Sequence, residues 1–155
     1  MFRMSKKIDY AVLSVAHLCQ SETRSASAKE IATHFGISVS FVANILKQLT
    51  RAGVLNSVRG VMGGYELARS PEEISVGDLI RALEGEFYFA DCTHPHGEVV
   101  CNIQDCPVRN PIHEIHRKFV SILNTTSFAE LLGLDGHRPV VGAGSRKASW
   151  GAGDP

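Results

Sequence analysis

The sequence predicts a mainly helical fold with one small β-hairpin: a winged helix-turn-helix head followed by a long apolar-striped helix. Three observations carry this. Two short helical periods abut through a glycine turn between about residues 27 and 53. Two short β-type segments flank the glycine-rich stretch Arg59–Gly64. A third helical period, Ile112, Ile115, Phe119 and Ile122, follows a polar, cysteine-bearing loop.

Lys7 to Gln20 has apolar positions at helical spacing, and Cys19 within it reads as a small core hydrophobe. Glu22 to Ala26 reads as a polar turn. Ser27 with Glu30 forms a capping box that opens a helix ending at Gly36. Ser38 or Ser40 caps the next helix, which runs to about Ala52. Its apolar face is Val42, Ile45, Leu46 and Leu49; Ser40, Asn44, Lys47 and Arg51 share the opposite face. Two helices joined this way form a helix-turn-helix, whose second helix enters the DNA major groove. Serine and asparagine can bond base edges there, and lysine and arginine can reach phosphate or guanine. The bland alternative is a solvated surface stripe.

Val54–Val58 and Tyr65–Ala68 read as the two strands of a wing. Arg59 sits where the hairpin turns, beside glycine, and is a candidate for phosphate or minor-groove contact. Ser75 and Asp78 resemble a capping box for a short helix ending near Gly85. Phe87, Tyr88 and Phe89 lead into the loop as core residues. After Pro111 the Ile112–Ile122 stripe either packs on its own domain or pairs with a second copy. Ser127 and Glu130 open a short last helix. From Gly136 the chain is glycine-rich and aperiodic and reads as a flexible tail, with Trp150 in it.

The chain has 155 residues and zero formal net charge, but the charge is uneven. Residues 1–70 hold nine Lys and Arg against four Asp and Glu; residues 71–135 hold four against eleven. A basic first half fits nucleic acid as partner. No apolar run approaches the roughly 20 residues of a membrane span, and the N-terminus lacks the features of a signal peptide. The expectation is a cytoplasmic protein, where structural disulfides are rare. No nucleophile–base pair, phosphate loop or paired carboxylates point to an enzyme.

Asp91–Pro111 carries Cys92, Cys101 and Cys106 at C-x8-C-x4-C spacing, with His94 and His96. Clustered thiols in such a loop imply a metal or redox site. Three soft ligands suit iron–sulfur; zinc, and a metal-free switch in which two cysteines pair, are the rivals.

Taken together, RMSKKIDYAV, EIATHFGISVSFVANILKQLTRAGVL, VRGVMGGYELAR, ISVGDLIRALEG and the loop ending CPVRNP resemble the IscR/NsrR-type winged-helix iron–sulfur transcriptional regulators over about residues 1–134. The resemblance implies a homodimer on double-stranded operator DNA. Its domains would be a winged head at 1–85, a cluster-binding loop at 86–111, a dimerisation helix plus short helix at 112–134, and a tail at 135–155. It implies that Cys92, Cys101 and Cys106 hold a cluster, [2Fe-2S] or [4Fe-4S], that gates operator affinity. Target genes would concern iron–sulfur assembly or iron, redox or nitric oxide stress. Some members use a histidine three residues beyond the last cysteine; here that residue is Arg109. Others use an aspartate donated by the partner subunit, which Asp9 matches. His113, His116, His94 and His96 are alternatives, and Asp9 also suits a helix N-terminus as a dipole-favoured carboxylate.

Overall fold

The computed structural model describes residues 4–60, 63–94, 101, 103–134 and 136. The wing tip at 61–62, His96 in the cysteine loop and the tail with Trp150 lie outside the described residues.

The helices are α1 (Lys6–Gln20), α2 (Ala28–Phe35), α3 (Val39–Arg51), α4 (Val76–Glu84), α5 (Arg109–Thr125) and α6 (Phe128–Leu132). The strands are β1 (Ser25–Ala26), β2 (Leu55–Val58) and β3 (Gly64–Leu67). The fold is mostly helical with a small antiparallel sheet, as the sequence pattern implies.

Local hydrogen bonds set most helix starts. The Ser27 hydroxyl accepts from the Glu30 amide at 3.1 Å, and Glu30 Oε2 accepts from the Ser27 amide at 3.4 Å. Ser75 and Asp78 make the same reciprocal pair at 3.2 and 3.0 Å. Each box satisfies two amides that the first helical turn leaves without partners. At α3 the cap residue is Ser38, but its hydroxyl makes no cap bond and lies 2.9 Å from the Ser40 hydroxyl.

Ser25 and Ala26 are not only turn: they form β1 and pair with β3 in the order β1-β3-β2. Ala26 sits opposite Tyr65 and Ser25 opposite Glu66. On the other edge Leu55 faces Leu67 and Val58 faces Gly64. The wing is thus anchored to the chain between α1 and α2. Gly64 makes this possible, because a Cβ there would meet the Ala26 carbonyl oxygen at 2.6 Å.

The core gathers Ile8, Val15 and Leu18 of α1, Ile31 of α2, Val42, Ile45, Leu46 and Leu49 of α3, Leu55, Ile74 and Leu79. Phe128 of α6 is fully buried among them, and its amide donates to the Ile74 carbonyl at 2.9 Å. Burying a Leu, Ile or Phe side chain contributes about 1.5–3 kcal/mol, so this cluster is what fixes α3 against α1 and α2. Cys19 packs against the core edge.

The long helix starts at Arg109, which puts Pro111 in its first turn, and it has no fully buried residue along its length. Ile115 and Ile122 are 53% and 60% exposed. Phe87 and Phe89 pack outside the main core instead, with ring centroids 5.2 Å from Phe119 of α5 in each case. Phe87 also stacks nearly parallel to His116, at 6.2 Å and 11°.

Candidate functional site

The first part of the site is the outer face of α3. Because Val42, Ile45, Leu46 and Leu49 are buried, helical geometry turns Ser40, Asn44, Lys47 and Arg51 outward, and all four are exposed. Val39 and Phe41, at the start of the helix, are exposed too, and Phe41 rests edge-on against Tyr10 at 5.7 Å. Gln48, on the flank of the stripe, bonds Asn44. The sequence stripe omitted Gln48, although its i+4 spacing from Asn44 is the signal that such pairs carry. Arg59, exposed, follows directly after β2. The face and the wing are joined through the packing of Leu55 in the core and the hydrogen bond from Ala68 N to Val54 O at 3.1 Å.

The second part is the cysteine loop. It is braced at both ends. Near Cys92, the buried Thr93 hydroxyl accepts from the Phe89 and Ala90 amides, each at 3.1 Å, and donates to the Ala90 carbonyl at 2.8 Å. Near Cys106, the Arg109 guanidinium donates to the Ile103 carbonyl at 2.6 Å. Arg109 therefore ties the loop to the start of α5. Cys92, Cys101 and Cys106 are all free thiols and partly exposed. Among the described residues, no three His, Cys, Asp or Glu side chains gather closely enough to enclose a metal ion. The donor chemistry nevertheless fits an iron–sulfur cluster: three unpaired thiols on one segment, open to solvent.

The remaining ligand candidates are scattered. Asp9 lies exposed on α1, one turn past the Ser5 cap, at an open groove of about 800 Å³ lined by Met4, Tyr10, Leu13, Phe35 and Ile37. His94 packs edge-on against Tyr88 at 4.4 Å. His116 has its Nδ1 buried with no hydrogen-bond partner among the described residues. His113 is half-buried on α5.

Cys19 differs from the loop thiols. Burial, helped by the nearby Glu72 charge, pushes it up to about 11, so it stays protonated at neutral pH.

A polar chain joins the end of the wing to α5. Arg69, just after β3, lies 3.6 Å from Asp78 on α4. Asp78 accepts from Arg81 at 2.7 Å, and Arg81 donates to Asn124 of α5 at 2.6 Å.

The family described as Rrf2, iron-dependent transcriptional regulator, matches residues 4–133. The chain belongs to the Rrf2 family. A relative, the HTH-type transcriptional regulator NsrR of Geobacillus kaustophilus, is 31% identical over 111 residues, covering 72% of this chain and 76% of that protein. Among solved structures, CymR, the global cysteine regulator of B. subtilis, superposes with a TM-score of 0.72 at 27% identity, covering 86% of this chain and 98% of that one. T. potens IscR gives 0.68 at 28% identity, covering 92% and 94%. As an Rrf2 regulator this chain is a DNA-binding transcription factor and not an enzyme. No helix among the described residues is long and apolar enough to cross a membrane.

Proposed function

We propose that this Rrf2 regulator binds its operator as a homodimer and that an iron–sulfur cluster on the loop gates its affinity. The reading divides the chain into a winged head at 1–85, the loop at 86–111, α5 with α6 at 112–134, and a tail. The observation that carries it is the placement of three free thiols on a segment braced by Thr93 and Arg109, directly before a helix that leaves Ile115 and Ile122 exposed.

Cys92, Cys101 and Cys106 would hold the cluster, and the partner's Asp9 would supply an oxygen ligand; the resemblance to NsrR supports that choice. A cluster held by three thiolates and one carboxylate supplies an iron open to attack by oxidants or nitric oxide. Arg109 cannot serve, being a cation that already donates to Ile103.

The chain's own residues supply the coupling. Phe87 and Phe89, between α4 and the loop, press on Phe119 and His116 of α5. Asn124 and Arg81 pass a shift of α5 to Asp78, and through it to Arg69 beside the wing. A change in loop order therefore biases the setting of the two heads on DNA, with differential contacts in the two states as the driving term. In the dimer, Ile115 and Ile122 cover one another across the two copies. Ser40, Asn44, Lys47 and Arg51 lie in the major groove, and Arg59 contacts the backbone or minor groove.

The test is purification without oxygen, followed by visible absorbance and iron and sulfide analysis. A coloured protein with stoichiometric iron and sulfide is expected. A protein that stays colourless and iron-free after reconstitution sinks the cluster reading.

The likeness to the cysteine regulator CymR favours a second reading, a thiol-sensing regulator that is metal-free or zinc-bound. Replacing Cys92, Cys101 and Cys106 with alanine tests both. Operator affinity that responds to oxidant identically with and without these cysteines eliminates either sensor.

A further inference from the structure

On the outer face of α3, Gln48 Nε2 donates to the Asn44 side-chain oxygen at 3.2 Å and to the Asn44 backbone carbonyl oxygen at 3.5 Å. These two bonds orient both amides. A backbone carbonyl only accepts, so the end of Gln48 that faces it is the NH2 end. The same NH2 meets the Asn44 side chain, which therefore offers its oxygen. The Asn44 NH2 is left as the free end, on an exposed residue of the helix face read as entering the major groove.

The consequence is chemical. An asparagine with both ends free pairs with adenine, donating to N7 and accepting from N6. An asparagine whose oxygen is turned along the helix toward Gln48 presents its NH2, with two donors, to the groove. The major-groove edge that offers two acceptors and no donor is guanine, through N7 and O6. Cytosine presents an N4 donor and answers such a group worst.

We infer that Gln48 is a positioning residue for base readout: it holds Asn44 with its NH2 toward the DNA, so that Asn44 selects guanine over adenine and cytosine. The inference rests on the reading of α3 as the recognition helix and deepens it by assigning the hydrogen-bonding sense of one contact.

The test is binding selection of the full-length protein from a pool of randomised duplexes, with Asn44→Ala run alongside to locate the base pair whose preference depends on Asn44. Guanine is expected at that position. Gln48→Ala frees the Asn44 amide to rotate and lowers the guanine-over-adenine ratio there by about twofold, the scale of an i,i+4 amide pair on a helix. Gln48→Lys, which donates and never accepts, keeps guanine. Gln48→Glu, which only accepts, draws the Asn44 NH2 inward and moves the preference toward adenine or cytosine. A merely structural role for Gln48 lowers affinity for all sequences alike and leaves these ratios unmoved. Adenine or cytosine selected by the wild type at the Asn44-dependent position, or ratios unchanged across the three Gln48 variants, overturns the inference while leaving the recognition helix intact. An Asn44→Ala variant that alters no position overturns the Asn44 reading itself, and the inference with it.

Discussion

The side-chain oxygen of Asn124 occupies the space that a β-carbon at Gly77 would fill. The same oxygen accepts from Arg81 at 2.6 Å, so one asparagine of α5 both covers the first turn of α4 and holds its arginine. A β-carbon at Gly77 would also come within 3.1 Å of the Leu123 backbone oxygen. Gly77→Ala is expected to displace the Asn124 side chain and break its bond to Arg81, at a cost of about 1 kcal/mol. Asn124→Ala removes the Arg81 partner and costs about 1 kcal/mol. Because the two changes relieve one another, the double variant should be less destabilised than the sum. Urea denaturation of the four proteins measures this, and strict additivity would remove the proposed clamp.

Asp78 gives stability a pH dependence. Burial disfavours its charge, but the Ser75 amide, the Arg81 guanidinium, the Arg69 charge and the Ser75 hydroxyl outweigh burial and hold the carboxyl below its ordinary value of 3.8. A lowered acid contributes stability above its unfolded value and loses it as pH falls through the folded one. Asp78→Asn should therefore destabilise at pH 7, by about 1 kcal/mol for a solvent-screened cap and ion pair. The difference should shrink as pH falls below 3.8. Thermal melts of both proteins at pH 7 and pH 3 decide it; an equal gap at both pH values would mean the charge plays no part.

Arg59 is exposed at the end of β2, where the wing turns. Arg59→Ala should weaken operator binding well beyond an exposed Lys29→Ala control. If the contact is to phosphate, the slope of log affinity against log salt should fall by about 0.9. Titrations at several salt concentrations provide both numbers, and equal effects for the two variants would mean the wing does not engage DNA.

The four cysteines should separate in an alkylation time course on the apo-protein. Cys19, at about 11, carries about a thousandth of its population as the reactive thiolate at pH 8. It should be the last to be modified by iodoacetamide in the folded protein, and should react alongside the others in urea. Peptide mapping by mass spectrometry follows each thiol. Cys19 reacting together with Cys92 in the folded state would contradict its assignment to the core edge.

Much of the architecture is readable from the residues because its causes are local. Ser27 with Glu30, and Ser75 with Asp78, form caps over four residues. The Val42, Ile45, Leu46 and Leu49 spacing alone turns Asn44 and Lys47 outward. The helix pair, the wing, the exposed face of α3 and the three-thiol loop follow from such signals. Less was legible where the partner is remote in sequence. Ser25–Ala26 is too short to carry a period, and becomes a strand only because β3 presents an edge and Gly64 lets it close in. Phe87 and Phe89 look like core by composition, yet the main core is filled by Phe128 and the aliphatic residues, so they form a separate cluster with Phe119.

The sequence by itself determined the element types, the caps, the face of α3 and the thiol set, since each depends on hydrogen bonds and side-chain period within a few residues. Only the tertiary structure decided that Arg109 braces the loop, that Gly77 admits Asn124, and that Ile115 and Ile122 stay uncovered. Those outcomes depend on which surfaces meet once the core has closed, and short-range patterning carries no record of a contact that forms only then.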